Sequence, residues 1–168
     1  IIKRGTHHSR GPSAYLVGKV FDETGDRLTP SKTKKNGRTI RYYYSNRLTI
    51  TGADPTGWRL RADMLEETLH DILKLYLKQT LQKMQIAPLI KSHALIAAIE
   101  ALNTLSIEQT LNLIERVDLS DTLLIIKLSH DTLAQTRNIN TAHFDHDYLS
   151  FKETVTFRKQ RCRKTSPR

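Results

Sequence analysis

The sequence is poor in the residues that build several common kinds of site. It contains a single cysteine, Cys162, so neither an internal disulfide nor a zinc site with several thiolates can form. A single cysteine fits a reducing compartment, and we expect a cytoplasmic protein. No apolar run approaches the roughly 20 residues that span a bilayer, so we expect no membrane partner.

Motifs for nucleophilic catalysis are also missing. The chain has no Gly-x-Ser-x-Gly elbow around a serine and no glycine-rich loop for phosphates. Cys162 lies in a basic stretch where no neighbouring motif predicts a folded pocket, so we interpret it as incidental. The sequence therefore predicts no enzymatic activity, no metal and no cofactor.

Positive charge is what the sequence has in excess. The chain carries 27 Lys and Arg against 17 Asp and Glu, a net charge of +10. Residues 1–61 hold 13 basic and 4 acidic side chains, residues 62–149 hold 7 and 12, and residues 150–168 hold 7 and 1. Two basic regions thus flank an acidic middle, which favours a polyanionic partner such as nucleic acid. The alternative is a basic protein whose charge serves solubility alone.

The first third of the chain predicts a three-stranded antiparallel β-ribbon over residues 13–50, after a flexible lead-in over residues 1–12. Apolar side chains alternate partly over residues 15–21, and residues 27–32 can return as a second strand. Residues 38–47 are rich in tyrosine and β-branched side chains, which favour a third strand.

Turn residues separate these strands. Gly25 suits a turn that needs a positive φ, and Pro30 argues for an edge position. Asn36 followed by Gly37 is the strongest short hairpin signal that a sequence offers. We therefore expect a hairpin tip at these two residues.

A helical segment is predicted over residues 58–115, after a linker over residues 51–57. Its first helix runs over residues 62–84, and shorter helices follow near 89–103 and 107–115, the last opened by a capping box from Ser106 to Gln109. The long helix has an apolar stripe at helical spacing, which comprises Leu65, Leu69, Ile72, Leu73, Tyr76 and Leu77. On the second helix, Leu95, Ile96, Ile99 and Leu102 are expected to face inward.

A small β region is predicted over residues 116–158. Its elements are strands near 114–119, 122–128 and 150–158, an irregular stretch at 130–148, and then a basic disordered tail at 159–168. The whole chain is thus α+β: a small antiparallel β-ribbon, a long helix plus two shorter helices, then a β-hairpin and one further strand.

The basic residues around the predicted hairpin tip are the best functional candidates. A narrow finger of this kind can lie along a phosphate backbone or enter a groove of DNA. The candidate contacts are Lys32, Lys34, Lys35, Arg38 and Arg41, with Arg47 and the tail as lesser candidates. Alternation sends Tyr43 to one face of the strand and its two tyrosine neighbours to the other. The tyrosines can serve binding or sheet packing, and both interpretations stay open.

Residues 143–147 offer four metal-ligand side chains, namely His143, Asp145, His146 and Asp147. Metal sites usually collect ligands from separate elements that fix their geometry, whereas this segment is predicted to be one loop. We interpret it as a polar surface loop, with a metal-dependent enzyme as the competing hypothesis. His7 and His8, in the lead-in, are weaker candidates still.

Four runs of the sequence, at residues 15–21, 25–30, 41–45 and 58–66, resemble the C-terminal region of large serine recombinases of the resolvase/invertase superfamily. In that family a β-ribbon opens with Leu-x-Gly, turns at a glycine and ends in a Tyr-Tyr pair, and a helix begins near a Leu-Glu pair. Residues 154–161 also resemble the family's closing strand. The resemblance implies a DNA-binding region of a site-specific recombinase.

Two departures qualify what the resemblance implies. Many relatives hold zinc in the ribbon through two cysteine pairs, whereas the corresponding regions here, residues 22–25 and residues 44–45, have no cysteine. The chain is therefore similar to the cysteine-free branch, in which packing must hold the ribbon. The family's nucleophilic serine belongs to an N-terminal catalytic domain, which no part of this chain resembles.

The resemblance and the charge pattern lead to one expectation. The chain is expected to bind the backbone of double-stranded DNA as a recombinase fragment that does not itself catalyse strand exchange, with a recombinase oligomer as a further partner. The alternative is a protein–protein module in which the helix at residues 62–84 mediates oligomerisation.

Overall fold

The structure is a computed structural model that describes residues 14–52, 54–85, 92–135 and 146–157. The strands are β1 Val20–Asp22, β2 Leu28–Lys35, β3 Arg38–Ser45, β4 Arg59–Arg61, β5 Ile114–Leu119, β6 Leu123–Leu128 and β7 Ser150–Thr154. The helices are α1 Asn46–Thr51, α2 Ala62–Gln85, α3 Ser92–Thr104, α4 Ile107–Asn112 and α5 His130–Gln135, with a 3-10 helix at His146–Leu149. The fold is α+β, as the sequence predicts.

The hairpin of β2 and β3 turns at Asn36 and Gly37, as predicted. Both residues have positive φ, of 51° and 73°, which is the conformation of the two central positions of a type I′ turn. The strands pair in antiparallel register from Lys35 opposite Arg38 down to Leu28 opposite Ser45. β2 is an edge strand of this sheet. Proline has no backbone N–H to donate to a neighbouring strand, so it is confined to edge positions such as that of Pro30.

The predicted first strand of this ribbon, over residues 15–21, is wrong. β1, from the region expected to open the ribbon, pairs in parallel with β5, with Val20 opposite Val117. The preceding residues form turns instead of a strand, since Gly18 has a φ of 77° and the backbone nitrogen of Lys19 donates to the carbonyl of Leu16. The strand that completes the three-stranded sheet is β4, which pairs with β3.

Two further boundaries differ from the prediction near this sheet. Residues 46–51, expected to end a strand and begin a linker, form α1, which ends at Gly52 with a φ of 74°. β4 lies within the region that was predicted to be helical. A strand forms there because buried Trp58 and Leu60 alternate with Arg59 directly before α2.

The long helix α2 supplies the centre of the core. Its stripe of Leu65, Leu69, Leu73 and Leu77 is fully buried, as predicted, while Ile72 and Tyr76 pack partly buried against the same core. One apolar cluster joins this stripe to residues of both sheets, including Tyr43 of β3 and Val117 of β5. The ribbon is therefore anchored on the helix rather than joined to it by a loop alone.

The second half of the chain follows the prediction more closely. β5 and β6 form the predicted hairpin, and β7 pairs with β6 as the further strand. The capping box at Ser106 is present at the start of α4. Two expectations are wrong: Ile96 is 54% exposed instead of facing inward, and the stretch at 130–148 contains α5 and the 3-10 helix.

None of the helices within the described residues is both long and apolar enough to cross a membrane. Several predictions lie outside the described residues, namely those on the lead-in with His7 and His8, on His143 and Asp145, and on the basic tail with Cys162.

Candidate nucleic-acid interface

The end of the β2–β3 hairpin extends beyond the three-stranded sheet. β4 reaches only as far as Tyr42 on β3, and every residue from position 32 to position 39 is exposed. At about 3.3 Å per residue, the four residues of each strand give this two-stranded ribbon a reach of roughly 13 Å. The sequence pattern thus builds a narrow finger, because a type I′ turn closes it without added loop residues.

Four basic residues lie on this finger, namely Lys32, Lys34, Lys35 and Arg38. They are called the tip cations. All four are exposed, and no carboxylate among the described residues pairs with any of them. The chain has no Asp or Glu from Leu28 to Ala53. The finger therefore presents positive charge that no acid on its own strands neutralises.

The strand register divides the finger into two faces. The Tyr42 face consists of Lys35, Arg38, Ile40, Tyr42 and Tyr44, together with Arg59 and Arg61 of β4. The Tyr43 face consists of Lys32, Lys34, Thr39, Arg41 and Tyr43. Because successive side chains of a strand point to opposite sides, each face carries two of the tip cations. The Tyr43 face packs against α2, as the contacts of Glu66 with Arg41 and Tyr43 show.

Arg41, which was predicted to contact DNA, is paired with a carboxylate of α2 in the structure. Its guanidinium donates to the two carboxylate oxygens of Glu66 at 3.2 and 2.8 Å. Glu66 is buried, and it also accepts from the hydroxyl of Tyr43 at 2.8 Å. Burial, and then the hydrogen bond to Glu66, raise the pKa of Tyr43 above its ordinary value. Arg41 therefore fixes the ribbon to α2, with 18% of its side chain exposed.

Arg47, the lesser candidate, is also held by carboxylates. Its guanidinium lies 2.5 Å from Asp22, 3.4 Å from Asp26 and 3.1 Å from Asp54. Burial alone would lower the pKa of Arg47, but the hydrogen bond and charge of Asp22 and the two further carboxylates raise it. Arg47 is thus the centre of an ion-pair cluster with three carboxylates.

Asp22 is the buried member of this cluster. It accepts hydrogen bonds from the hydroxyl groups of Thr24 and Ser45, at 2.6 and 2.8 Å, in addition to Arg47. Burial by itself would raise the pKa of Asp22, but the hydrogen bonds outweigh it and hold the pKa below its ordinary value. The cluster ties the turn after β1 to the end of β3.

Arg59 is a functional candidate that the sequence analysis missed. Its guanidinium carbon lies 4.4 Å from the ring centre of Tyr42 and 5.4 Å from that of Tyr44. Within the described part of the chain no carboxylate pairs with Arg59, and its buried Nε has no hydrogen-bond acceptor. The alternation around Leu60 is the sequence signal that could have placed it on a strand.

A groove opens where β3 continues beyond the end of β4. It has a volume of about 570 Å³ and is lined by Lys35, Asn36, Arg38, Thr39, Ile40, Arg41, Arg61 and Asp63. Arg61 and Asp63 form an exposed ion pair at one side. Since Asp63 is the only acid of the lining and is paired, the groove has a net positive charge.

The competing site at residues 143–147 falls mostly outside the described residues. In the ranges that the structure describes, no three or more His, Cys, Asp or Glu side chains are grouped so that they could hold a metal ion.

Comparison of the chain with protein-family models, with curated proteins and with solved structures finds no match.

Proposed function

We propose that the chain is a DNA-binding fragment from the C-terminal region of a large serine recombinase, which contacts double-stranded DNA through the β2–β3 ribbon without catalysing strand exchange. The observation that carries the proposal is the exposed finger with its four tip cations and no acid on its strands. A cytoplasmic location and association with a recombinase oligomer are part of the same proposal.

The shape of the finger suits duplex DNA. The major groove of B-form DNA, about 12 Å wide, admits a two-stranded β-ribbon. Lysine and arginine side chains that neutralise phosphates release condensed counterions, and this release supplies most of the affinity of sequence-tolerant binding. The tip cations are placed on both faces of such a ribbon, so it can contact phosphates from either side.

The position of Arg47 supports the resemblance to the cysteine-free branch of the family. The two regions that carry zinc-binding cysteine pairs in many relatives lie together here, since Ser45 donates to Asp22 at 2.8 Å. The residues do not fit zinc, because no thiolate is present and the Arg47 guanidinium already lies among the carboxylates. A permanent cation and its hydrogen bonds thus link these two segments.

The burial of α2 counts against the alternative, an oligomerisation module using the helix at residues 62–84. The leucines of its apolar stripe are buried in the chain's own core, and Ile72 and Tyr76 pack partly buried against the same core. Of the large apolar side chains on this helix, Met64 and Leu75 are exposed. They lie eleven positions apart in sequence, which is about three helical turns, so they do not form a compact patch.

Salt-dependent binding tests the proposal. Fluorescence anisotropy of a labelled duplex, titrated with the full chain at several salt concentrations, gives the slope of log K against log salt. Each phosphate contact contributes about −0.9 to this slope, so two to four contacts predict roughly −2 to −4. The variant in which all four tip cations are changed to glutamine should lose most of this slope.

A matched control removes four positive charges from exposed lysines elsewhere in the described chain. It comprises Lys78→Gln, Lys83→Gln, Lys127→Gln and Lys152→Gln. This control should keep the slope, because the loss of net charge is the same and only the location differs. Equal losses in both variants would show that binding depends on net charge alone, and no binding by the unmodified chain at low salt would refute the proposal.

A further inference from the structure

The guanidinium of Arg59 is held in place before any ligand arrives. It stacks over two tyrosine rings, at 4.4 and 5.4 Å from their centres, on a strand that is itself paired to β3. Cation–π contacts of this kind limit the rotation of a long side chain, so less entropy is lost when a ligand binds. A planar guanidinium also suits a phosphate better than a flexible ammonium, because its donors match two oxygens.

Arg59 shares its face with two of the tip cations. Lys35 and Arg38 lie at the tip of the Tyr42 face, and Arg59 lies opposite Tyr44 at its base. Six residues of strand separate Arg38 from Tyr44, which is about 20 Å at 3.4 Å per residue. Phosphates of one DNA strand follow each other every 3.4 Å along the helix axis, so the row of cations spans roughly six base-pair steps.

The opposite face offers a poorer approach for DNA. α2 packs on the Tyr43 face, where Arg41 is neutralised by Glu66. A polyanion that approaches the Tyr43 face therefore meets α2 at the base of the ribbon, where the guanidinium of Arg41 is already paired with a carboxylate.

We infer that the Tyr42 face is the side of the ribbon that meets DNA, and that Arg59 is a phosphate-binding residue at its base; the inference rests on the proposed function. The contact is with the backbone of duplex DNA rather than with unstacked bases. Tyr42 is buried beneath the guanidinium of Arg59, so its ring face is not free to stack on a base.

Two double variants of the full chain test which face binds. Lys35→Gln/Arg38→Gln removes two exposed cations from the Tyr42 face, and Lys32→Gln/Lys34→Gln removes two from the Tyr43 face of the same finger. By anisotropy titration against a duplex, the first should flatten the salt slope by about 2 units and the second by far less.

Arg59 is tested by charge removal and charge restoration. Arg59→Gln should flatten the slope by about 0.9, and Arg59→Lys should restore the slope while binding more weakly, because the charge returns without the planar donor pair. Thermal unfolding of each variant shows that it is folded. If Arg59→Gln does not fold, the two double variants still decide the face.

The outcomes separate the inference from the proposed function. Binding by the unmodified chain with slopes that fall only in Lys32→Gln/Lys34→Gln would overturn the assignment of the face and leave the proposed function standing. An unchanged slope in folded Arg59→Gln would overturn the role of Arg59. Absence of binding by the unmodified chain would overturn the proposed function and this inference with it.

Discussion

Arg41 of the ribbon and Glu66 of the long helix form a two-pronged ion pair, with hydrogen bonds of 3.2 and 2.8 Å, at the junction of the two elements. The carboxylate of Glu66 is almost fully buried and also accepts from Tyr43 and from the backbone nitrogen of Tyr15. A buried carboxylate needs such donors, since an unpaired charge in the interior is costly. This ion pair therefore fixes the orientation of the ribbon relative to α2.

Replacing Arg41 with methionine is expected to destabilise the fold without changing DNA binding. Removal of one partner of a buried ion pair costs about 3–5 kcal/mol, and because Arg41 is partly exposed and Glu66 keeps two donors we expect about 2–3 kcal/mol. Denaturant unfolding measures the loss. Adding Glu66→Gln in the same chain should recover part of it, and a flattened salt slope in the folded Arg41 variant would contradict the structural role.

The carboxylate of Asp22 predicts a dependence of stability on acid. Its pKa is below the ordinary value of 3.8 in the folded chain, because hydrogen bonds from Thr24, Ser45 and Arg47 outweigh the opposing effect of burial. The charge therefore contributes its full stabilisation above about pH 4, and this is lost as the pH falls through the folded pKa. Asp22→Asn should be less stable than the unmodified chain near neutral pH.

Once the pH has fallen through the folded pKa of Asp22, the two free energies of unfolding should converge, since protonation removes the charge from the unmodified chain as well. Denaturant titrations at several pH values between about 7 and 2.5 give the comparison. A stability difference that stays constant through this range would show that the Asp22 charge is not the stabilising element.

Metal analysis gives a further prediction. The purified chain is expected to contain no stoichiometric zinc, because Arg47 provides the positive charge between segments that have no thiolates. A chelator should then leave the melting temperature unchanged. Elemental analysis that finds about one zinc per chain would refute the cysteine-free interpretation.

The chain is expected neither to nick nor to join supercoiled plasmid, with or without divalent ions. Phosphoryl transfer needs a nucleophile beside cations that stabilise the developing charge, and both Arg41 and Arg47 are bound to carboxylates. Gel electrophoresis under denaturing conditions checks this. A covalent adduct between protein and DNA would overturn it.

Local signals predicted the elements that local interactions determine. Asn36 and Gly37 gave the hairpin turn, the leucine spacing gave α2, and Ser106 with Gln109 gave the start of α4. β1 has three residues, too few for a periodic pattern, and β4 is equally short, with only the alternation around Leu60 to mark it. The partner of β1 is distant in sequence, so no local pattern could show that it belongs to the second sheet.

The candidate contact residues could likewise be identified only in part, because local sequence signals show some features of the ribbon and not others. The turn signal at Asn36 and Gly37 placed the four tip cations around a hairpin end, and all four are exposed there. Arg41 could have been set apart, because alternation places it on the face of Tyr43, which is buried. The carboxylates that bind Arg47 come from the end of β1, from the turn that follows it and from a loop after α1, so their convergence is visible only in three dimensions.

The parallel pairing of Val20 with Val117 also determines when this region can be completed during synthesis. A ribosome adds roughly 5–20 residues per second, so β1 leaves the exit tunnel on the order of 5–20 s before β5 does. The finger and its turn can close early, since all their contacts are local. The four-stranded sheet that contains β1 must wait for β5. Until β5 emerges, β1 of the nascent chain has no partner strand in that sheet.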